Sequence, residues 1–493
     1  MFNYIKYDYM KIYVIFSLLI LSASCFAAGN ISADSTLNPV VAEFGNNRIY
    51  FDEYRYTYYE VLKQPTMYDS KQLRESLLEE LISRRLLSQA SEKNNYGADE
   101  NLQYRIEAYH NKCLRDAHYK YIIKPKVSIS EEDNKNVYRF LQEKRRISHL
   151  FFNTKEEADS VYQLLKNGAS FKEMAKKVFT DTTLANSGGD LGWVYWDQLD
   201  YDLAMAAFTL PVNQVSEPLH SQFGYHILLV TDFQKNPLIS EYEYQAHKQK
   251  ARTLLEYHIS DKYAFDYIGE MMKKANVVVM TNVMKSVRDK IQAQMTRKPG
   301  KYDAMSETQL NEEEIKKVNT DFSSQRKDVM ATINGVNYTV GDFIAELMYI
   351  PYNITYTDFT AAFNYAVRDF LITKEAAANG LDKDDEVITK TRLFKEYFIA
   401  ARFRRKLVDD VTVSEEEIKK YYDENQKQIK GAPYDAMHPV IEKQMLRDKQ
   451  MNVSQDYVNI LLKGTKVIKH MDIINGYYDA LYSNKNTGLL NKK

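Results

Sequence analysis

The chain has 493 residues, enough for two to four domains. Its 66 basic and 67 acidic residues balance, which argues against the basic footprint of a nucleic-acid binder. Tyrosine is used 39 times in an otherwise polar chain, which fits either a composition bias or partly exposed rings suited to adaptable contact with unfolded polypeptide.

The first stretch reads as an export signal. Met10-Lys11 and the apolar run Ile12 to Leu21 give a basic start and a short hydrophobic core, too short to span a bilayer comfortably. Residues 1–28 are therefore assigned to a signal peptide. Cleavage near Ala27 is one outcome. Lipidation of Cys25 is the other, although Ser22 stands where such signals usually carry leucine. Either outcome leaves Cys113 alone, so no disulfide framework is expected. No later segment is apolar enough to be transmembrane.

Next comes VVAEFGNNRIYFDEYRYTYYEVL, a short strand and a turn around Gly45-Asn46-Asn47, leading into a helix opened by Asp52. In the following SLLEELISRRLLSQASEKN, Leu77, Leu78, Leu81, Leu86 and Ala90 form a helical stripe that reads as core. Ser130 before an acidic first turn caps another helix, so the acidic run is a helix start and not a set of catalytic carboxylates.

Residues 145 to 232 hold the chemistry. Ile147, His149 and Phe151 alternate with Ser148, Leu150 and Phe152 in a strand. Thr154 with Glu157 and Ser170 with Glu173 are capping patterns for two helices, the first ended by Gly168. After a loop from Thr180 to Ser187, Gly188, Gly189 and Gly192 allow backbone approaches that a Cβ would block. A short helix around Leu199 to Phe208, a turn at Pro211 and a last strand follow. On that strand Gly224, His226 and Leu228 share one face. Both histidines are thus expected on central strands of one small sheet.

The runs RRISHLFF, GGDLGW and QFGYHILLV, in this order and spacing, resemble the parvulin-type peptidyl-prolyl isomerases. The resemblance implies an isomerase domain over residues 145–235. Its paired histidines fall on His149 and His226, and the cysteine or aspartate beside the substrate falls on Asp181 or Thr182. The resemblance further implies a proline pocket at Leu199, Leu203 and Phe208, with Ser221 near the rim and Phe223 beside it. Here Thr182 replaces the thiol of some members, and leucines replace the methionine and phenylalanine that often line the pocket.

Residues 281 to 326, with Pro299-Gly300 and NEEEIKK, read as a linker with helical pieces. Then the opening module returns: VMATINGVNYTVGDFIAEL repeats the strand, turn and helix, with the turn at Asn334-Gly335 and the helix opening at Asp342. FNYAVRDFLITKEAAANG repeats the stripe, Ser414 repeats the cap, and DYVNILLKGTKVI from Asp456 matches DYIGEMMKKANVV from Asp266. The second copy is the first with its isomerase stretch omitted. The order of helical module, inserted parvulin stretch and returning helix resembles the SurA-like and PpiD-like foldases, in which the helical module implies a client-binding chaperone body. The tail, 471–493, carries Asn, Gly and Lys and reads as flexible.

Other chemistry is poorly supported. His110 and His118 share a helical segment without further ligands at metal spacing, so no metal is expected. No nucleophile elbow, P-loop lysine or dinucleotide fingerprint accompanies the serines or GGDLG. No cofactor is expected.

The expected fold is α+β, mainly α: two copies of a helical chaperone module, 38–140 plus 238–280 and 327–470, with one inserted parvulin-type α/β domain. The expected function is an exported isomerase and chaperone in the periplasm or cell envelope. Its partners would be unfolded exported proteins with X-Pro bonds, with no nucleic acid and no membrane contact beyond a lipid on Cys25. The alternative is a non-catalytic holdase using the parvulin domain only to bind peptide.

Overall fold

The computed structural model describes residues 38–64, 66–94, 100–221, 224–236, 240–297, 309–429 and 431–483. The segment assigned as a signal, Cys25 and Phe223 lie outside them. The described chain is mainly helical, with ten strands: β1 (Val40–Phe44), β2 (Asn47–Tyr50), β3 (Glu143–Phe152), β4 (Asp190–Val194), β5 (Leu219–Ser221), β6 (Gly224–Lys235), β7 (Val277–Val279), β8 (Val329–Ile333), β9 (Val336–Thr339) and β10 (Val467–Lys469). They form three antiparallel sheets within two compact units, one spanning 115–379 and the other joining the chain before 115 to the chain after 379.

The larger sheet belongs to the first unit, in the order β4-β3-β6-β5. Alternation along β3 and β6 gives it two apolar faces. Leu150, Phe152 and Ile227 pack on helices Lys155–Lys166 and Phe171–Val178 through Ala158, Leu165, Phe171 and Met174. Ile147, Leu228 and Val230 pack with Trp196, Leu203 and Phe208. The caps are where the sequence sets them. Thr154 accepts from Glu157 N–H, Ser170 from Glu173 N–H, and Ser130 from Asp133 N–H.

The same unit holds the sheet β7-β8-β9. Asn334 and Gly335 make its hairpin turn at φ +50° and +79°, a left-handed pair that favours these residue types. The reading of 281–326 as a linker is corrected here for the described residues, whose helical pieces are packed into a core. Helices Thr281–Gln294 and Glu312–Asp321 bury Val287, Ile291, Ile315, Val318 and Phe322 in one core with Met330, Ile333 and Phe343. Glu313, Lys316 and Lys317 mark the solvent side, whereas Glu314 is buried and accepts from Arg297 at 2.9 Å. Arg115, half-buried, donates to the buried carboxylate of Glu346 at 3.1 and 3.0 Å.

In the second unit, β10-β1-β2 pack on helices Phe51–Leu62, Lys71–Lys93 and Met471–Ser483. The tail reading is corrected for the described part of 471–493. Ile474 and Tyr478 are both 0% exposed, and Tyr478 meets Tyr54 and Tyr58 with ring centroids 6.3 and 4.6 Å apart. Ile474, Tyr477, Tyr478 and Leu481 do recur at the three- and four-residue spacing of a helix, a stripe that the neighbouring Asn, Gly and Lys obscure.

The grouping of the repeated modules also differs from the sequence reading. Val277–Val279 closes the first copy in sequence, yet pairs with β8 of the second copy, Val277 opposite Ile333. Val467–Lys469 closes the second copy, yet pairs with β1 of the first, Val467 opposite Phe44. The copies have exchanged their closing strands. Two near-identical hairpins offer equivalent edges, and local sequence does not say which one a later strand will meet.

Candidate active site

The site is built on the two central strands of the larger sheet. His149 lies opposite Leu228 and Phe151 opposite His226, so the two histidines are diagonal neighbours on one face. Their rings are 6.0 Å apart between centroids and inclined by 26°. The expectation of two imidazoles on one small sheet is met geometrically.

The glycine run seats this pair. Gly188 ends helix Thr182–Ser187 in the left-handed conformation. At Gly189, φ is +75° and a Cβ would lie 2.1 Å from the carbonyl oxygen of His149. The carbonyl of Gly189 instead accepts the His149 N–H at 2.9 Å. Only a residue without a side chain lets this backbone close on β3.

Both histidines are 5% exposed. Burial, reinforced by His226, holds His149 down to about 3; burial, reinforced by His220, holds His226 down to about 4. Both imidazoles are therefore neutral near pH 7. His226 Nε2 is 2.8 Å from Ser221 Oγ, while His149 Nε2 is buried without a hydrogen-bond partner among the described residues. Phe179 and Phe151 flank the pair, with ring centroids 5.4 Å from His149 and 5.2 Å from His226.

The other predicted residues divide by burial. Asp181 is half-buried, and its carboxylate accepts the Leu184 N–H at 2.7 Å, so it caps the short helix that replaces the expected loop. Thr182 is exposed in the first turn of that helix. Phe179 carries this segment to the His149 ring. Leu199 is half-buried and packs on the cluster under the sheet. Leu203 and Phe208, assigned to the pocket lining, are 5% and 2% exposed and belong to the core beneath it. The half-buried apolar surface over that core comes from Leu191, Leu199, Met205 and Leu219. Ser221 is buried against His226 and not at an open rim.

Sequence reasoning missed Phe179, Met205 and the contact between Trp196 and His258. Each is apolar or aromatic in a helical stretch, a signal indistinguishable from ordinary core. His110 meets Thr391 Oγ1 at 3.2 Å and His118 meets Glu375 at 3.1 Å. Among the described residues, no group of three or more His, Cys, Asp or Glu side chains is placed to hold a metal ion. None of the described helices is long and apolar enough to cross a membrane.

Chemically, the arrangement offers neutral hydrogen-bonding rings beside an apolar surface. Among the described residues, no metal ligand set accompanies them. It suits a reaction in which a substrate is gripped and polarised without a bond being broken.

Two family models match the chain: the PPIC-type PPIase domain over residues 151–232 and a SurA-like N-terminal domain over residues 1–123. The foldase protein PrsA of Bacillus subtilis is 32% identical over 165 residues, which cover 33% of this chain and 54% of that one. The parvulin-like PPIase of Rickettsia conorii is 24% identical over 213 residues, covering 42% of this chain and 73% of that one. A solved parvulin from Nitrosopumilus maritimus is 34% identical, covers 18% of this chain and 97% of that one, and has a TM-score of 0.17. The chain thus spans about half the length of the B. subtilis relative. Residues 151–232 are thus a PPIC-type, parvulin peptidyl-prolyl isomerase domain, and residues 1–123 match a SurA-like N-terminal domain.

Proposed function

We propose that this chain is an exported peptidyl-prolyl cis-trans isomerase and chaperone that assists the folding of envelope or secreted proteins. The observation that carries it is the buried pair His149 and His226, neutral and diagonal on one sheet face, with half-buried Leu219 opposite His226 and packed on the same cluster as Leu199, Leu191 and Met205.

Rotation about a peptide bond meets a barrier of roughly 18–20 kcal/mol, because the nitrogen lone pair is delocalised into the carbonyl. Twisting an X-Pro bond localises that pair and makes the amide more like a ketone and an amine. A site that holds the prolyl ring on an apolar surface and hydrogen-bonds the twisted amide lowers the barrier by binding that state better than either planar isomer. His149 and His226 take the polarising and orienting role, as neutral rings and not as acids. Ser221 holds His226 in orientation, and Asp181 with Thr182 borders the amide from the glycine-run side. Leu199 grips the ring over the floor of Leu203 and Phe208, and Phe223, outside the described residues, is assigned to substrate binding with them.

The helical modules carry client binding, with unfolded exported proteins bearing X-Pro bonds as partners. Residues 1–28 direct export to the periplasm or cell envelope, by cleavage near Ala27 or by a lipid on Cys25. Relatives named as foldases support the same reading. In the test, the purified chain should accelerate isomerisation of a short proline peptide, and His149→Ala or Asp181→Ala should slow that about tenfold or more. Suppression of client aggregation should persist in both variants. A well-folded wild type that suppresses aggregation without accelerating isomerisation would leave only a holdase.

A further inference from the structure

One helix outside the parvulin stretch touches three of the elements around the pocket: the turn before Leu199, the helix that follows it and the strand that bears Ser221. Glu241–Lys274 presents His258, Lys262 and Phe265 at spacings of four and three, one stripe of a helix. His258 packs on Trp196, ring centroids 4.6 Å apart, in the turn Trp196–Gln198 that leads directly into Leu199. Lys262 Nζ lies 2.8 Å from the Asp202 carboxylate, in the first turn of helix Tyr201–Thr209. Phe265 meets His220, ring centroids 5.7 Å apart, one residue before Ser221. Leu255 is buried in the cluster that holds Leu203 and Phe208, and Leu254 and Ile259 pack against it.

The repeat supplies a comparison inside the same chain. When Asp266 is set on Asp456, as the matching closing segments require, His258, Lys262 and Phe265 align with Asp448, Asn452 and Gln455. All three are exposed in the copy that carries no isomerase. The aromatic character at the first and third of these positions accompanies the isomerase and is absent without it. Helix propensity does not ask for His and Phe there, since both are weaker helix formers than Gln.

We propose that His258 is a positioning residue of the isomerase site, acting with Phe265 from the returning chaperone helix to fix the pocket wall at Trp196–Leu199 and the strand that bears Ser221. The inference rests on the isomerase reading above and extends it: the pocket is completed by a segment outside the catalytic domain. The half-buried Leu199 has no strand of its own to hold it. A turn pinned through a buried Trp196 against His258 keeps it in place over Leu203.

The test uses the full chain with a proline tetrapeptide. His258→Ala and Phe265→Ala should each raise KM about fivefold and leave kcat within about twofold, as expected when ground-state grip and transition-state grip are lost together. His258→Phe, which keeps a ring against Trp196, should restore KM. Tyr242→Ala, on an exposed position of the same helix, should match wild type; His258→Ala empties a buried site and should melt lower, so all four variants are assayed at a temperature where circular dichroism shows each of them folded. An active wild type with unchanged KM in both alanine variants overturns the inference alone. So does a KM rise that His258→Phe fails to restore. A wild type without turnover overturns the isomerase reading and this inference with it.

Discussion

Two returning helices of the same origin have different fates in this molecule. In Glu241–Lys274, Tyr244, Ala251, Leu255, His258, Ser260 and Ala264 are buried; in Tyr434–Leu461 only Ile441 and Val458 are. Their beginnings are nearly the same. Tyr244 donates to Glu131 at 2.9 Å and meets the Tyr138 ring at 5.4 Å, while Tyr434 donates to Glu415 at 3.5 Å and meets the Tyr422 ring at 5.1 Å. Lys248 pairs with Glu131 where His438 pairs with Glu415. The local lock between cap helix and returning helix therefore survives without the inserted domain. What is lost is the apolar stripe further along, which has no purpose without a domain to cover it.

The largest effect should come from deleting residues 467–493. This removes β10, Ile474 and Tyr478 from the core around Tyr54 and Tyr58. Loss of a fully buried aromatic alone costs about 3–5 kcal/mol, so the unit that joins the two ends of the chain should unfold. Circular dichroism should show a large loss of helix, while short-peptide isomerisation, housed in the other unit, should continue. Loss of both together would break the two-unit division.

Two glycine substitutions come next, and sharpen what the glycine run does. Gly189→Ala places a Cβ against the His149 carbonyl and should cost about 3 kcal/mol or more, abolishing turnover. Gly192→Ala shares φ +75° but meets nothing within 4 Å, so only the left-handed strain of about 1–2 kcal/mol remains. Urea unfolding of the two variants should separate clash from strain.

Acid should act on the isomerase-bearing unit in particular. Burial holds His149 down to about 3 and His226 and His258 down to about 4, below the ordinary 6.5. An unfolded chain then binds more protons than the folded one below pH 6.5. Stability should be flat above that pH and fall as pH drops toward 4, with a slope of up to about 1.4 kcal/mol per pH unit for each histidine. Both tryptophans, Trp193 and Trp196, lie in this region, so their fluorescence reports the transition. Turnover should stay level from pH 7 to 8, since neither ring of the site changes charge there.

A smaller change is expected from Ser221→Ala, which strands the buried Nε2 of His226 at a cost of about 1–3 kcal/mol. Turnover should fall less than in His149→Ala. The smallest test returns to the paired helices. Tyr244→Phe removes contacts to Glu131 and Asn134 and should lower the melting midpoint by about 2 °C. Tyr434→Phe removes one long, exposed contact and should leave it unchanged.

Local chemistry made much of this legible from residues alone. The caps at Ser130, Thr154, Ser170 and Ser414, the turn at Asn334-Gly335 and the strands that carry His149 and His226 follow from interactions a few residues apart or from the two-residue period of a strand. Each is decided by backbone hydrogen bonding that needs no distant partner. The tertiary structure decided the rest. It alone set which hairpin Val277–Val279 and Val467–Lys469 would join, that Met471–Ser483 and 281–326 bury side chains, that Leu203 and Phe208 lie under the pocket, and that His258 reaches Trp196. These depend on which surfaces meet across long stretches of chain, and an apolar side chain carries no mark of the partner it will exclude water with.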